Sequence, residues 1–127
     1  MPTTIQWLDR EQTVILVHHE GDYTTDDVIE QMQIVNAMID TVEHAVIVLQ
    51  DYRLAGQLKG NMLVRIQELN ALRHPRSINP VMVGPKGLMR TMIRIYSQVF
   101  REIQTCETVH EAVKMLGIEP LPSVDIT

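Results

Sequence analysis

Cysteine is almost absent from this chain: Cys106 is the only one, so no internal disulfide can form, and no cysteine and histidine group has the spacing of a structural zinc site. Such usage suits a reducing compartment. Long apolar runs are missing too. No stretch approaches the length that spans a bilayer, and Met1-Pro2-Thr3-Thr4 lacks the basic start and apolar run of a signal peptide, so a cytoplasmic protein is expected. Aromatic residues make up only 4% of the chain, the net charge is −5 and no recognised reader motif occurs, which argues against nucleic-acid binding.

What is present is an ordinary globular composition, 45% hydrophobic and 21% charged, in 127 residues. That length buries roughly two-thirds of the surface an unfolded chain exposes, enough for one core. A single domain over residues 1–117 is expected, followed by an extended tail over 118–127 that carries Pro120 and Pro122 and is either frayed or laid on a neighbour. Charge is unevenly placed. Residues 1–51 hold ten acids against Arg10, residues 52–101 hold nine bases against Glu68, and residues 102–127 hold five acids against Lys114. Such blocks steer an acidic partner, an anionic ligand or a second copy of the chain, unless they are plain solvated helix faces.

Ile5–Leu8 and Thr13–Glu20 are extended runs joined by polar residues, a hairpin pattern that Gly21-Asp22-Tyr23 is expected to break. Thr24 with Asp27 offers an N-cap, and Val28, Met32, Val35, Ile39 and Val42 line one side of the helix that follows, with Glu30, Gln31, Gln33 and Asp40 outward. Ala45–Leu49 is apolar on both alternating faces, as a central parallel strand requires. Asp51–Gly60 has two glycines and no period and reads as a loop, with a second helix starting near Gly60 or Asn61 and ending at Arg73-His74-Pro75. Ile78–Val83 is the next strand, Leu88–Phe100 an amphipathic basic helix, Ile103–Thr105 a short edge strand, and Thr108-Val109-His110-Glu111 a capping box opening a helix that Gly117 stops. The order is ββαβαβαβα: an α/β domain with an N-terminal hairpin, then a mainly parallel sheet with about four helices and right-handed crossovers.

With this order, and with Gly21-Asp22-Tyr23-Thr24, Val46-Ile47-Val48-Leu49-Gln50-Asp51, Val81-Met82-Val83-Gly84 and Thr108-Val109-His110-Glu111-Ala112 at its junctions, the whole chain resembles the STAS domains of bacterial anti-sigma-factor antagonists. It resembles in particular the small stand-alone SpoIIAA-like bacterial proteins related to STAS and CRAL-TRIO domains. The resemblance implies a STAS/SpoIIAA-like fold that regulates through protein contacts or binds a small or lipidic ligand, without covalent chemistry. Regulatory STAS domains carry a phosphorylatable Ser or Thr in an Asp-Ser-Ser/Thr-Gly-like motif where the loop after the central strand enters the next helix. Here that region reads Leu58-Lys59-Gly60-Asn61, with no serine or threonine from Asp51 to Leu72, so kinase control at this point is not expected.

His18 and His19 are adjacent on a strand and point to opposite faces, which suits two strand-face histidines better than joint ligands of one metal. His44, His74 and His110 sit in unrelated elements, so no metal is assigned. Cys106 stands before a helix start but beside Glu107, the setting of an inert thiol. Gly84-Pro85-Lys86-Gly87 resembles an anion-binding turn by composition but lacks P-loop spacing and the dinucleotide glycine pattern, and turn chemistry alone explains it. Asp51-Tyr52-Arg53 leaves the carboxyl end of the central strand, where open α/β sheets bind ligands, although the favoured reading is that Asp51 caps the loop backbone and Arg53 pairs with an acid. The methionines suit an adaptable core better than a binding groove.

No nucleophile, base and orienting group can be named together, so no catalytic residue, cofactor or enzyme activity is assigned. The first expectation is a non-enzymatic regulatory or interaction module, homodimeric or bound to a regulatory protein. The alternative is a binder of a small anionic or lipidic ligand at the carboxyl ends of the central strands. The residues singled out for ligand or partner are Asp51, Tyr52, Arg53, Lys59, Lys86, Arg90 and Arg94.

Overall fold

The computed structural model describes residues 3–126; Met1, Pro2 and Thr127, the outermost residues of the expected domain and tail, lie outside the described residues. Strands β1 (Thr3–Trp7) and β2 (Val14–Thr24) pair antiparallel, from Thr3 opposite His19 to Trp7 opposite Ile15. Buried Asp9 organises the turn between them: its carboxylate accepts from the N–H groups of Thr13 and Val14 at 2.9 and 3.1 Å, and from the Thr13 hydroxyl. Helix α1 (Thr25–Ile39) opens on a full capping box, in which the Thr24 hydroxyl accepts from the Asp27 N–H and the Asp27 carboxylate accepts from the Thr24 N–H. The far end of α1 is closed by Arg76, which donates to the carbonyls of Ile39 and Val42.

The chain continues through β3 (Val46–Lys59), a 3-10 turn (Met62–Arg65), α2 (Ile66–Ala71), β4 (Ser77–Val83), α3 (Gly87–Val99), β5 (Gln104–Cys106) and α4 (Val109–Leu116). The five strands lie side by side in sequence order, and every pair after the hairpin is parallel. This is the ββαβαβαβα arrangement expected from the sequence.

Strand alternation divides the core between two faces. Leu16, Leu49, Val81 and Val83 pack on one side with Val109, Ala112 and Val113 of α4. On the other, Ile15, Val17, Val46 and Val48 meet Val35 and Ile39 of α1, while Tyr23 and Tyr52 meet Leu69 of α2 and Met89, Met92 and Ile93 of α3. Each such buried side chain contributes about 1.5–3 kcal/mol, so both faces are needed. Three helices cover one face and a single helix the other. The tail assists that single helix: the Leu121 N–H donates to the Leu8 carbonyl at 2.7 Å, and Val124 joins the same core.

Three local expectations are corrected. Gly21-Asp22-Tyr23 does not end β2, and Asp51–Gly60 is not a loop: the two segments run on together as a parallel ribbon, from Glu20 opposite Leu54 to Thr24 opposite Lys59. Register shifts after His18 and Gly21 break the alternation, which is why no period is legible there. Gly56 is required because a Cβ at its position would stand 2.9 Å from the Asp22 backbone nitrogen. Asp22 then fastens the ribbon by accepting from the Gln57 N–H at 2.7 Å. The third correction is Gln31, which is buried rather than outward because it donates to the Thr3 hydroxyl at 3.1 Å.

Candidate functional site

Because α4 and the tail cover only part of their face, β1, β2 and β3 leave an open cleft of about 560 Å³ there. Its floor is polar for a reason of register. His18 on β2 and Asp51 on β3 are partners across the parallel pair, and parity puts Arg53 on the same face. Asp51 is buried, and its carboxylate accepts from His18 Nδ1 at 3.0 Å, from Arg53 Nε and Nη2 at 3.0 Å each, and from the Arg53 N–H at 3.1 Å. His18 Nε2 reaches Glu20 at 3.1 Å. Gly84, just past β4, packs against Arg53: a Cβ there would stand 2.6 Å from Arg53 Cγ.

The electrostatics follow from these contacts. Burial opposes the charge on Asp51, yet the Arg53 and His18 donors outweigh it and hold the carboxyl below its ordinary value. Burial likewise opposes protonation of His18, and the hydrogen bonds to Asp51 and Glu20 overcome it, so its pKa is raised. Arg53 is held in its charged form by Asp51. A carboxylate so fully engaged is a weak base, and the cluster behaves as a fixed ionic clasp between β2 and β3.

On the opposite face the neighbouring residues do something different. His19 is wholly buried, hydrogen-bonded to Gln50 at 2.7 Å, and burial lowers its pKa. Burial pushes Tyr23 up to about 12 and raises Tyr52 further, so both phenols stay neutral. Between α1, α2, α3 and the sheet lies an apolar cavity of about 170 Å³, lined in part by Met32, Met62, Met82, Met89 and Met92. The methionines are therefore core and cavity wall at once.

The seven residues singled out in the sequence do not form one site. Asp51 and Arg53 come together, and Arg53 meets Gly84. Tyr52 points to the other face of the sheet. Lys59 sits at the far end of the ribbon, 3.6 Å from Asp22. Lys86 is the exposed N-cap of α3, Arg90 donates to the Pro85 carbonyl at 3.2 Å, and Arg94 is exposed further along the same helix. Cys106 is half-buried, and burial together with Glu111 and Glu107 pushes its thiol up. Among the described residues no group of three or more His, Cys, Asp and Glu is placed to hold a metal, and no helix is long and apolar enough to cross a membrane. Sequence reading missed His18 as a partner of Asp51 and Glu20 as a partner of His18, and missed Arg73 and Arg101, which line the apolar cavity. The His18–Asp51 pairing depends on strand register and had no signal in either segment alone.

No protein-family model matches the chain, and comparison with curated proteins gives no match. Solved structures do match. The anti-sigma factor antagonist SpoIIAA in its unphosphorylated form aligns over 91% of this chain and 98% of its own, with a TM-score of 0.60 at 14% identity. An uncharacterized protein of the DUF3478 family from Shewanella loihica PV-4, described as having a SpoIIAA-like fold, aligns over 91% of this chain and 92% of its own, with a TM-score of 0.63 at 13% identity. Element order, parallel register and these two superpositions agree, and the chain has the SpoIIAA-like STAS fold.

Proposed function

We propose that this domain is a non-enzymatic, cytoplasmic protein-interaction module of STAS-like type, whose docking surface is the end of the fold where β3 and β4 finish and whose first partner is a second copy of the chain. One observation carries the reading. At that end Leu63, Val64 and Leu88 are 42%, 79% and 49% exposed, beside a helix, α3, that carries Arg90 and Arg94 and no acid. Residues 1–51 supply the complementary sign, with exposed Asp26 and Glu30 on α1. The clasp of Asp51, Arg53 and His18 favours a structural over a catalytic role for the polar cleft, because each charged group there already has a partner. Phosphorylation at the helix entry is no part of the reading, since Asp51–Leu72 holds no serine or threonine.

The second reading of the sequence, a small anionic or lipidic ligand near Asp51, Arg53 and Lys86, has less in its favour. The cleft is lined by Glu20, Asp51 and Asp125 against Arg53 and His18, a balance that repels an anion.

Light scattering on the eluting peak at low and high salt tests the proposal. A dimer that weakens with salt, and that Val64→Asp or Arg94→Glu turns into a folded monomer, supports it. A wild-type chain that stays monomeric at both salts removes the homodimer, and with it this reading of the α3 end.

A further inference from the structure

The apolar cavity on the helix-covered face has a polar end. Arg73, just past α2, and Arg101, just past α3, both line it, as does Ser77, the first residue of β4. These positions lie at the end of the fold where the strands begin, opposite the proposed docking surface. Arg101 Nη1 donates to the Ser77 carbonyl at 2.6 Å, which ties the guanidinium to the cavity edge. Its Nε is buried and meets no acceptor among the described residues. No carboxylate pairs with Arg73 or Arg101 among the described residues, whereas Arg53 is held by Asp51 at 3.0 Å, and Arg65 by Asp26 and Glu68 at 2.6 and 2.9 Å. Both guanidiniums line the same cavity, and burial, followed by the charge of Arg73, depresses the pKa of Arg101. Two like charges at the mouth of an apolar space cost free energy that an anion would recover.

The rest of the cavity specifies the body of that anion. About 170 Å³ of apolar space exceeds the roughly 150 Å³ of an engineered cavity that accepts benzene, so a ring or a short alkyl chain fits. The walls include five methionines, unbranched and polarizable side chains that adapt to different hydrocarbon shapes. The other polar groups at the edge are already engaged: His74 with Asp40 at 2.7 Å, and Asn36 with the Leu72 carbonyl at 2.7 Å. The two guanidiniums, beside the Ser77 hydroxyl, are the charged donors left at that end.

We propose that this cavity binds a small organic carboxylate with an apolar body, whose hydrocarbon part lies among the methionines and whose carboxylate is received by Arg101 and Arg73. The binding site is independent of the docking surface, and either can fail without the other.

Titration calorimetry with hexanoate and phenylpropanoate, alongside hexanol and acetate as body-only and head-only controls, tests it on the intact chain labelled with methyl-13C methionine. The expected result is one carboxylate per chain, shifts at the methyl groups of Met32, Met62, Met82, Met89 and Met92 and not at Met38 or Met115, and binding of both controls weaker by at least about tenfold. Arg73→Gln, whose side chain is exposed and makes no internal bond to lose, weakens the carboxylates by at least about tenfold, and Arg101→Lys retains more affinity than Arg101→Gln. The proposal is overturned if neither carboxylate binds the wild-type chain, if hexanol binds as tightly as hexanoate, if the shifts fall outside the five methionines, or if Arg73→Gln binds as the wild type does.

Discussion

The imidazole of His19 lies flat on the ring of Tyr52, with centroids 4.3 Å apart and planes 6° from parallel. Its sequence neighbour His18 faces the other side of the sheet and grips Asp51. Adjacent histidines thus titrate in opposite senses. The pKa of His18 is raised above 6.5, so its contribution to stability is complete below 6.5 and is lost as pH rises through the folded value. The pKa of His19 is lowered, so its contribution is complete above 6.5 and is lost as pH falls toward the folded value. Imidazole proton shifts followed by NMR across this range are expected to give one titration above and one below 6.5. Two coincident titrations at 6.5 would contradict the assignment.

Asp51→Asn leaves Arg53 and His18 without their anion. The side chains of both partners are about a quarter exposed, at 27% and 26%, so solvent screens part of the loss and a cost of about 2 kcal/mol in urea unfolding at neutral pH is expected. The sign with pH follows from the lowered pKa of Asp51: the wild-type advantage is complete above 3.8 and disappears as pH falls through the folded value. In the same variant the pKa of His18 falls, which NMR reads independently.

Gly84 has a φ of +61°, and a Cβ there meets Arg53 Cγ. Gly84→Ala therefore combines backbone strain with a steric clash, and a loss of about 1–2 kcal/mol or more is expected. Adding Arg53→Ala removes the clash but not the strain, so a double-mutant cycle on chemical denaturation is expected to show partial recovery. Full additivity would mean that the two residues do not touch.

Removal of residues 118–127 strips Leu121 and Val124 from the core around Leu8 and deletes the hydrogen bond to the Leu8 carbonyl. The expected cost is about 3 kcal/mol or more, seen as a lower unfolding midpoint and increased dye binding to exposed apolar surface. Unchanged stability would show that the tail is an ornament on the domain and not a part of it.

Element order was legible because the signals were local. Thr24 with Asp27, Thr108 with Glu111 and the apolar run Val46–Leu49 each carry their own pattern within a few residues, and each stands where it was expected. The ribbon of β2 and β3 was not legible, because bulges cancel alternation and exposed residues on both sides leave no apolar stripe. The candidate site was half legible. Asp51 and Arg53 are two residues apart on one strand face, but His18 enters only when β2 takes its register against β3, and the placing of Arg73 and Arg101 on one cavity requires α2 and α3 to end at the same edge.

Among the described residues β1 accompanies β2 only as far as His19, and β4 accompanies β3 only as far as Asp51, while the two middle strands continue to Thr24 and Lys59. One continuous strand is therefore a shielded beam at its start and an open rail at its finish. Backbone amides of Val46–Asp51 should outlast those of Leu54–Lys59 in deuterium exchange by orders of magnitude, a contrast usually found between strands and here drawn along one. The rail carries Glu20, Asp22 and Lys59, charges that discourage a stray chain from adding itself to the sheet.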